Sequence, residues 1–274
     1  MITTRFAPSP TGLLHLGHAY SALVAWRVAE ASGGRFLLRL EDIDTTRCRE
    51  EFAEAIFEDL AWLGLRWPEP GRRQSEHLGD YGDTVGHLES LGVLDACFCT
   101  RKDIAAAESA PHGPEGPVYP GTCRRLGREV RDARVEAGDA YALRLDVGRA
   151  WDLVGGDLVW EDRVAGEVRA RPGELGDVVL ARKDIGTSYH LSVTVDDAIQ
   201  GVNLVVRSED LFASTHIHRL LQELLGLPVP GYFHHEIIRD KAGRRLAKRD
   251  DAQTLRALRE GGMTAAEVRA RLGV

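Results

Sequence analysis

Several features are scarce in this sequence, and each scarcity excludes a class of protein. No apolar stretch approaches the ~20 residues of a membrane-spanning helix, so we expect no membrane partner. The chain begins without the design of a signal peptide, which predicts a cytoplasmic protein. The 4 cysteines are too few for a disulfide scaffold. The net charge of −7 excludes a protein that binds polyanions through bulk positive charge alone.

The most informative segment is residues 7–18, Ala-Pro-Ser-Pro-Thr-Gly-Leu-Leu-His-Leu-Gly-His. It separates a short strand-like run from residues 19–31, where apolar residues recur at helical spacing, so it predicts a strand, a turn and a helix. The N–H groups and the dipole at a helix N-terminus favour a phosphate there. His15 and His18 would stand over that phosphate as neutral or charged donors. A metal-binding pair or two plain surface residues are the alternatives, which the preceding Pro-Ser-Pro-Thr-Gly run disfavours.

Strand and helix segments alternate in the first part of the chain and again in the last. A predicted strand over 35–40 ends in the acidic group Glu41-Asp-Ile-Asp44. Later in the chain we predict strands over 189–195, 202–206 and 232–238 and a helix over 211–225. Parallel α/β sheets bind their ligands beyond the carboxyl ends of the strands. The acidic group is therefore expected at the same rim as the Pro-rich turn.

Three of the four cysteines fall between residues 97 and 123. The knuckle Cys97-Phe-Cys99 and the turn Tyr119-Pro-Gly-Thr-Cys123 suit a closed tetrahedral zinc site, which can staple a region with little core of its own. The spacing leaves the fourth ligand open between His112 and Tyr119, and three buried thiols without metal are the alternative. Short alternating segments over 141–145, 151–160 and 178–182 predict an antiparallel β insertion.

Five motifs together resemble the class I aminoacyl-tRNA synthetases in their glutamyl form. The first is Arg5 to His18, and the others follow in register as Leu38-Arg-Leu-Glu-Asp-Ile-Asp44, Tyr189-His-Leu-Ser192, Val205-Val-Arg207 to Asp210-Leu211, and Arg245-Leu-Ala-Lys-Arg249. The resemblance implies an α/β fold: a class I synthetase Rossmann-type parallel sheet with an inserted zinc-containing α+β subdomain and a short helical C-terminal tail.

Only 25 residues follow Arg249, where a complete glutamyl-tRNA synthetase carries a large helical anticodon-binding region. The chain is therefore more similar to the truncated paralogue family of glutamyl-Q tRNA(Asp) synthetases, and no anticodon-binding domain is expected. The implied domains are the two halves of the Rossmann catalytic domain over 1–96 and 186–240, a zinc-binding insertion over 97–185, and the second-signature loop with a short helical region over 241–274.

That family activates L-glutamate with ATP in the absence of tRNA and attaches it to the queuosine base in the anticodon of tRNA(Asp). The resemblance implies L-glutamate, ATP with Mg²⁺, one structural Zn²⁺ and queuosine-carrying tRNA(Asp) as ligands and partners, and we expect a monomer. A truncated glutamyl-tRNA synthetase that charges a tRNA 3′ end is one alternative. A zinc-stapled RNA-binding protein without catalytic activity is another.

The resemblance also assigns roles to individual residues. His15, His18 and Lys248 would be catalytic, and ATP would contact His15, Gly17, His18, Arg245 and Lys248. Glutamate would contact Arg5, Phe6, Ala7, Pro8, Ser9, Glu41, Tyr189 and Arg207. The zinc ligands would be Cys97, Cys99, Tyr119 and Cys123, so the resemblance selects Tyr119 over His112.

The chemistry of the residues fits these roles. Arg5 and Arg207 would offer bidentate forks to the carboxylates of glutamate, and Glu41 would pair with its ammonium group. Lys248 would neutralise charge on the departing pyrophosphate. Arg245 and Ala247 stand where the second signature commonly has Lys and Ser, and Ala247 removes a hydroxyl group that could engage phosphate.

Overall fold

The computed structural model describes residues 1–105, 112–113, 116–238 and 254–274. The strands are β1 Thr3–Phe6, β2 Arg35–Leu40, β3 Arg72–Arg73, β4 Leu94–Cys97, β5 His112–Gly113, β6 Gly116–Pro117, β7 Ala142–Leu145, β8 Val159–Asp162, β9 Gly166–Arg169, β10 Val179–Arg182, β11 Leu204–Ser208 and β12 Gly231–His235. The α-helices are α1 Leu16–Ala31, α2 Glu50–Trp62, α3 Leu78–Ser90, α4 Arg101–Ala105, α5 Arg128–Glu136, α6 Val147–Leu153, α7 Tyr189–Ile199, α8 Ser214–Leu224, α9 Leu255–Glu260 and α10 Ala265–Leu272.

Two parallel groups of strands lie side by side and confirm the predicted parallel sheet. β1 pairs with β2 and β2 with β3, all in parallel. β11 pairs in parallel with β12, which pairs in parallel with β8, and β9 joins β8 antiparallel. β1 lies beside β11, and just before β11 the Asn203 N–H donates to the Thr3 carbonyl at 3.1 Å. The carboxyl ends of β1, β2 and β11 therefore meet at one rim.

Helix α1 covers β1 and β2, as the helical spacing over 19–31 predicted. Its small buried residues, including Ala19, Ala22 and Ala25, let the helix lie close to the strands. The Thr4 hydroxyl donates to the Ala25 carbonyl at 2.9 Å, which ties β1 to the middle of the helix. The first signature is thus held between a buried strand and a buried helix face.

A smaller antiparallel sheet, with strand order β10-β7-β4, contains two of the three predicted segments of the insertion. The predictions for 141–145 and 178–182 are therefore confirmed. The prediction of one strand over 151–160 was wrong, because its first residues belong to helix α6 and only its end lies in β8. β8 also joins the sheet of β11 and β12, so the insertion contributes a strand to the parallel sheet.

The predicted strand over 189–195 was wrong as well, because this segment is helix α7. All of its residues from His190 to Asp197 are buried. A helix that is buried on every side shows no 3.6-residue alternation of apolar and polar residues. Its β-branched Val193, Thr194 and Val195 then imitate the composition of a buried strand.

The last helices, α9 and α10, confirm the predicted short helical tail and pack on the catalytic core. Leu255, Leu258 and Val268 are buried in the same hydrophobic cluster as Leu14 and Leu60. The Leu255 N–H donates to the Leu14 carbonyl at 2.8 Å, directly beside the first signature. Within the described ranges, no helix has the length and apolar character needed to cross a bilayer.

Candidate active site

The first signature forms the predicted strand, turn and helix, and its two histidines cap the helix. His15 is the N-cap of α1, and its Nδ1 accepts the Gly17 N–H at 3.1 Å. The Nδ1 of His18 accepts the His15 N–H at 3.3 Å, and the two rings stack with centroids 3.7 Å apart. A ring nitrogen that accepts a hydrogen bond carries no proton, so this geometry assigns the acceptor role to Nδ1 of each ring. Both rings thus lie at the positive end of the α1 helix dipole.

The loop before the histidines is tied to the end of β2. The Glu41 N–H donates to the Pro8 carbonyl at 3.0 Å, which joins the Pro-rich turn to the acidic group at the rim. Phe6 and Pro8 are buried, Ala7 is half-buried and Ser9 is exposed. The predicted meeting of the turn and the acidic group is confirmed by this contact.

Arg5 is a bidentate fork, as predicted, but its partner is a carboxylate of the protein itself. Its Nε donates to Asp197 Oδ1 at 2.9 Å and its second terminal nitrogen to Oδ2 at 3.3 Å. Arg39 also donates to Asp197 Oδ1, at 2.8 Å. Burial raises the pKa of Asp197, but the charges of Arg5 and Arg39 outweigh it, so that the pKa lies below its ordinary value.

Arg39 is fully buried and connects this cluster to Glu41. It donates to Glu41 Oε1 at 3.4 Å and lies 3.6 Å from Asp196 Oδ2. Burial raises the pKa of Glu41, with the positive charges of Arg39 and Arg5 acting in the opposite direction. Glu41 reaches the rim and lines the adjacent cleft. Sequence reasoning missed the role of Arg39, although a charge inside the apolar run 36–40 was a signal for it.

Arg207, on β11, has a different environment. It is 5% exposed, and its hydrogen-bond partners among the described residues are neutral side chains. The Arg207 guanidinium donates to Tyr189 Oη at 3.1 Å, Thr215 Oγ1 at 2.5 Å, His218 Nδ1 at 3.3 Å and His234 Nε2 at 3.0 Å. No carboxylate of the described residues forms an ion pair with it. Within the described part of the chain, Arg207 is therefore a buried cation without a carboxylate partner.

Tyr189 begins α7 and places its hydroxyl beside Arg207. Burial raises its pKa, so the phenol keeps its proton at neutral pH. Because its oxygen accepts from Arg207, its own O–H is a donor toward a ligand at the rim. Tyr189 therefore lies beside Arg207, and its contact with glutamate stays a prediction.

A cleft of about 1130 Å³ joins this rim to the cysteine region. Ser9, Glu41 and Tyr189 line one end, and Cys97, Phe98 and Cys99 line the other. Four basic side chains also line it: Arg47, Arg144, Arg182 and Lys183. Arg245 and Lys248, predicted to contact ATP, lie outside the described residues.

Three of the predicted metal ligands come together. The sulfur atoms of Cys97, Cys99 and Cys123 lie within 4.8 Å of one another, and those of Cys99 and Cys123 are 3.4 Å apart. Zinc–sulfur bonds of ~2.3 Å in a tetrahedral site place sulfur atoms roughly 3.8 Å apart, so the cluster fits such an ion. Burial raises the pKa of Cys123, but the hydrogen bonds from the Phe98 N–H and the neighbouring thiols have the larger effect. The pKa of Cys123 therefore lies below its ordinary value. These contacts make the Cys123 thiol easier to deprotonate than an isolated cysteine.

Tyr119 lies at this cluster, and Gly121, with φ of 75°, allows the tight turn that returns the chain to Cys123. The Tyr119 oxygen accepts the Cys123 N–H at 2.6 Å. The phenol is thus within the cluster, as a fourth ligand would be. The His112 side chain lies outside the described part of the chain.

Comparison with known proteins gives consistent results. A family model described as the catalytic domain of class I tRNA synthetases (E and Q) matches residues 1–270. A glutamyl-Q tRNA(Asp) synthetase from Rhodobacter capsulatus is 48% identical, with 99% of each chain covered. One from Symbiobacterium thermophilum is 44% identical, with 96% of this chain and 82% of that protein covered.

A solved structure is similar over most of the chain. The glutamate tRNA ligase from Elizabethkingia meningosepticum, in complex with its amino acid, superposes with a TM-score of 0.74 at 28% identity. The match covers 91% of this chain but only 52% of that one, so the chain spans about half the length of the solved ligase. These matches extend over the parallel sheet, the signature turn and the insertion. The chain belongs to the class I tRNA synthetase family for glutamate and glutamine, in its group of glutamyl-Q tRNA(Asp) synthetases.

Proposed function

We propose that this protein activates L-glutamate with ATP, without tRNA, and transfers the glutamyl group to queuosine in the anticodon of tRNA(Asp). The observation that carries the activation half is Arg207, a buried cation with only neutral partners among the described residues. A buried charge without a counter-charge is costly, and a ligand carboxylate would supply the missing one. A substrate with a carboxylate would therefore balance the charge of this side chain.

The remaining glutamate contacts follow from the same rim. Glu41 would pair with the ammonium group, whose positive charge would add to those of Arg39 and Arg5 in opposing the effect of burial, which raises the pKa of Glu41. Tyr189 would donate its O–H to a carboxylate oxygen. Arg5, which is already shared with Asp197, would contribute positive charge at the back of the pocket, and Phe6, Ala7, Pro8 and Ser9 would form its wall.

ATP would lie against the N-terminus of α1. His15 and His18 would contact its phosphates beside Gly17, whose own N–H donates to His15, and Arg245 and Lys248 would come from the second-signature loop. A carboxylate oxygen of glutamate attacks the α-phosphorus in line while the bond to pyrophosphate breaks, which forms glutamyl-adenylate. Mg²⁺ would accompany the ATP phosphates.

We also propose one structural Zn²⁺ held by Cys97, Cys99, Tyr119 and Cys123. The sulfur geometry, the thiolate-favouring surroundings of Cys123 and the position of Tyr119 support this ligand set. The cluster has only a small apolar surround, which includes Phe98 and Leu126. A metal ion would supply the cross-link that so small a core lacks. This proposal includes the insertion 97–185 as a separate subdomain between the two halves of the catalytic domain.

The acceptor is the finer part of the proposal, and the names of the two relatives support it. Charging of a tRNA 3′ end is the competing function, since the similar solved structure is a glutamate tRNA ligase. Labelled glutamate, ATP and the enzyme are incubated with tRNA(Asp) that carries queuosine or guanine at the same anticodon position. Ribonuclease digestion then separates the anticodon fragment from the terminal adenosine. Label in the anticodon fragment, only when queuosine is present, is the expected result; label on the terminal adenosine would contradict it.

A further inference from the structure

The side chains around Arg207 hold its guanidinium in place without neutralising it. Four neutral groups accept its N–H donors, whereas Arg5 and Arg39 both donate to Asp197. Tyr189 comes from α7, Thr215 and His218 come from α8, and His234 comes from β12. Three elements thus fix the same charged group from different directions. Because these partners lie on other secondary-structure elements, tertiary packing sets the position of the Arg207 guanidinium.

His234 accepts from Arg207 because another residue sets its tautomer. Asp162 Oδ2 lies 2.7 Å from His234 Nδ1, and Asp162 also accepts three backbone N–H groups, those of Val164, Ala165 and His234 itself. These donors keep Asp162 ionised, since its pKa is lowered against the effect of burial. The proton of His234 therefore stays on Nδ1, facing Asp162, and Nε2 is left as an acceptor for Arg207.

His218 is arranged in the same way by a different partner. Its Nδ1 accepts from Arg207, so its proton lies on Nε2, which faces His190 Nδ1 at 3.3 Å. Burial and the charge of Arg207 lower its pKa well below the ordinary value. Both imidazoles are thus neutral acceptors at physiological pH, and neither offsets the positive charge of Arg207.

We propose that His218, His234 and Thr215 are specificity-determining residues, which reserve the full charge of Arg207 for a carboxylate and so reject the amide analogue, glutamine. This inference rests on the proposed glutamate activation. The matched family covers enzymes for both amino acids, so a chain of this fold must distinguish them. An acid side chain at any of these positions would neutralise Arg207, and a neutral amide could then replace the substrate carboxylate with little loss.

The test uses two variants that differ only in charge, His218→Asp and His218→Asn. Either side chain places an oxygen near the position of the imidazole Nδ1, and both lose the contact with His190. Pyrophosphate exchange into ATP is measured against glutamate and glutamine concentration. We expect His218→Asn to raise the KM for glutamate about tenfold at most, and His218→Asp to raise it about 100-fold or more. In His218→Asp alone, the ratio of kcat/KM between glutamate and glutamine should fall by a similar factor, with the KM for ATP unchanged.

The outcomes separate this inference from the function on which it rests. Equal losses in the two folded variants, with glutamine still rejected, would overturn the role of neutrality while leaving glutamate activation intact. Failure of the wild-type enzyme to exchange with glutamate would instead overturn the proposed function. Thermal melting and the KM for ATP report folding. If His218→Asp does not fold, the pair Thr215→Asp and Thr215→Asn makes the same comparison at the other terminal nitrogen of Arg207.

Discussion

Two buried arginine clusters lie at the same rim, and they differ in how their charge is balanced. Arg5 and Arg39 share Asp197, with Asp196 and Glu41 close to Arg39. Arg207 has only neutral hydrogen-bond partners among the described residues. The first cluster completes its own ion pairs and so stabilises the fold. The second has no carboxylate partner among the described residues, and we therefore propose it as the part of the rim that binds a substrate carboxylate.

The largest expected effect is on the stability of the first cluster. Asp197→Asn removes the carboxylate that Arg5 and Arg39 share, so the free energy of unfolding should fall by about 3–5 kcal/mol. Urea denaturation followed by circular dichroism measures this change. Asp184→Asn is the matched control, because Asp184 pairs with Arg182 at the surface, and it should cost less than about 1 kcal/mol. Similar small costs for both variants would mean that the first cluster does not stabilise the fold.

A substitution in the second cluster should weaken the binding of glutamate. Arg207→Ala should weaken the binding of glutamate by about 2–5 kcal/mol, because the substrate carboxylate then lacks its buried partner. The measurement is the glutamate dependence of pyrophosphate exchange, with the unfolding free energy recorded beside it. Arg207→Lys keeps the positive charge but loses the two-pronged guanidinium. Its affinity for glutamate should lie between those of the wild type and the Ala variant. An unchanged glutamate requirement in the folded Ala variant would place the pocket elsewhere.

The histidines predict a pH dependence that the first cluster does not share. Burial, followed by the charge of Arg207, lowers the pKa of His234 from 6.5 to about 4. Between these values the unfolded chain binds more protons than the folded chain, so His234 lowers stability as pH falls, by up to roughly 3 kcal/mol. Asp59, whose buried carboxyl has a pKa raised to about 6, acts in the opposite direction over the same range.

The contribution of His234 to the pH dependence of stability is therefore obtained by comparing the wild type with a variant that lacks this histidine. The unfolding free energies of the wild type and His234→Gln are measured from pH 7 to pH 4. The wild type should lose more stability over this range than the variant, because the glutamine side chain does not titrate. Parallel curves would show that His234 is not held neutral by its surroundings.

The smallest expected effect on either arginine cluster comes from the cysteine site. Cys123→Ser should release bound zinc and loosen residues 97–123, with the KM for glutamate changed less than about twofold, since Cys123 contacts neither cluster. Metal content by plasma mass spectrometry and limited proteolysis check this. Cys48→Ser is the matched control and should keep its metal, because Cys48 lies outside the sulfur cluster. Retention of one equivalent of zinc in Cys123→Ser would contradict the ligand set.

The sequence predicted those parts of the fold whose signals are local. Helical spacing identified α1, the apolar run identified β2, and proline and glycine identified the turn between β1 and α1. Helix α7 was missed because burial on all sides removes the periodicity that would have identified it. The same limit explains 151–160, where a short helix and a strand follow each other without a strong boundary signal.

The site was predicted in part, for a similar reason. Motifs brought Arg5, Glu41, Tyr189 and Arg207 to one rim, and the structure places them there. The partners that give the two arginine clusters their different character were not found. Asp197 is 158 residues from Arg39, and Asp162 is 72 residues from His234. Such pairs depend on how strands and helices assemble, which no local pattern records.

The central claim is that Arg207 binds the carboxylate of an amino acid substrate. The most direct test is amino-acid-dependent exchange of labelled pyrophosphate into ATP without tRNA. The account predicts exchange with glutamate and at least about 100-fold lower kcat/KM with glutamine. No exchange by the folded enzyme, or equal exchange with both amino acids, would contradict it.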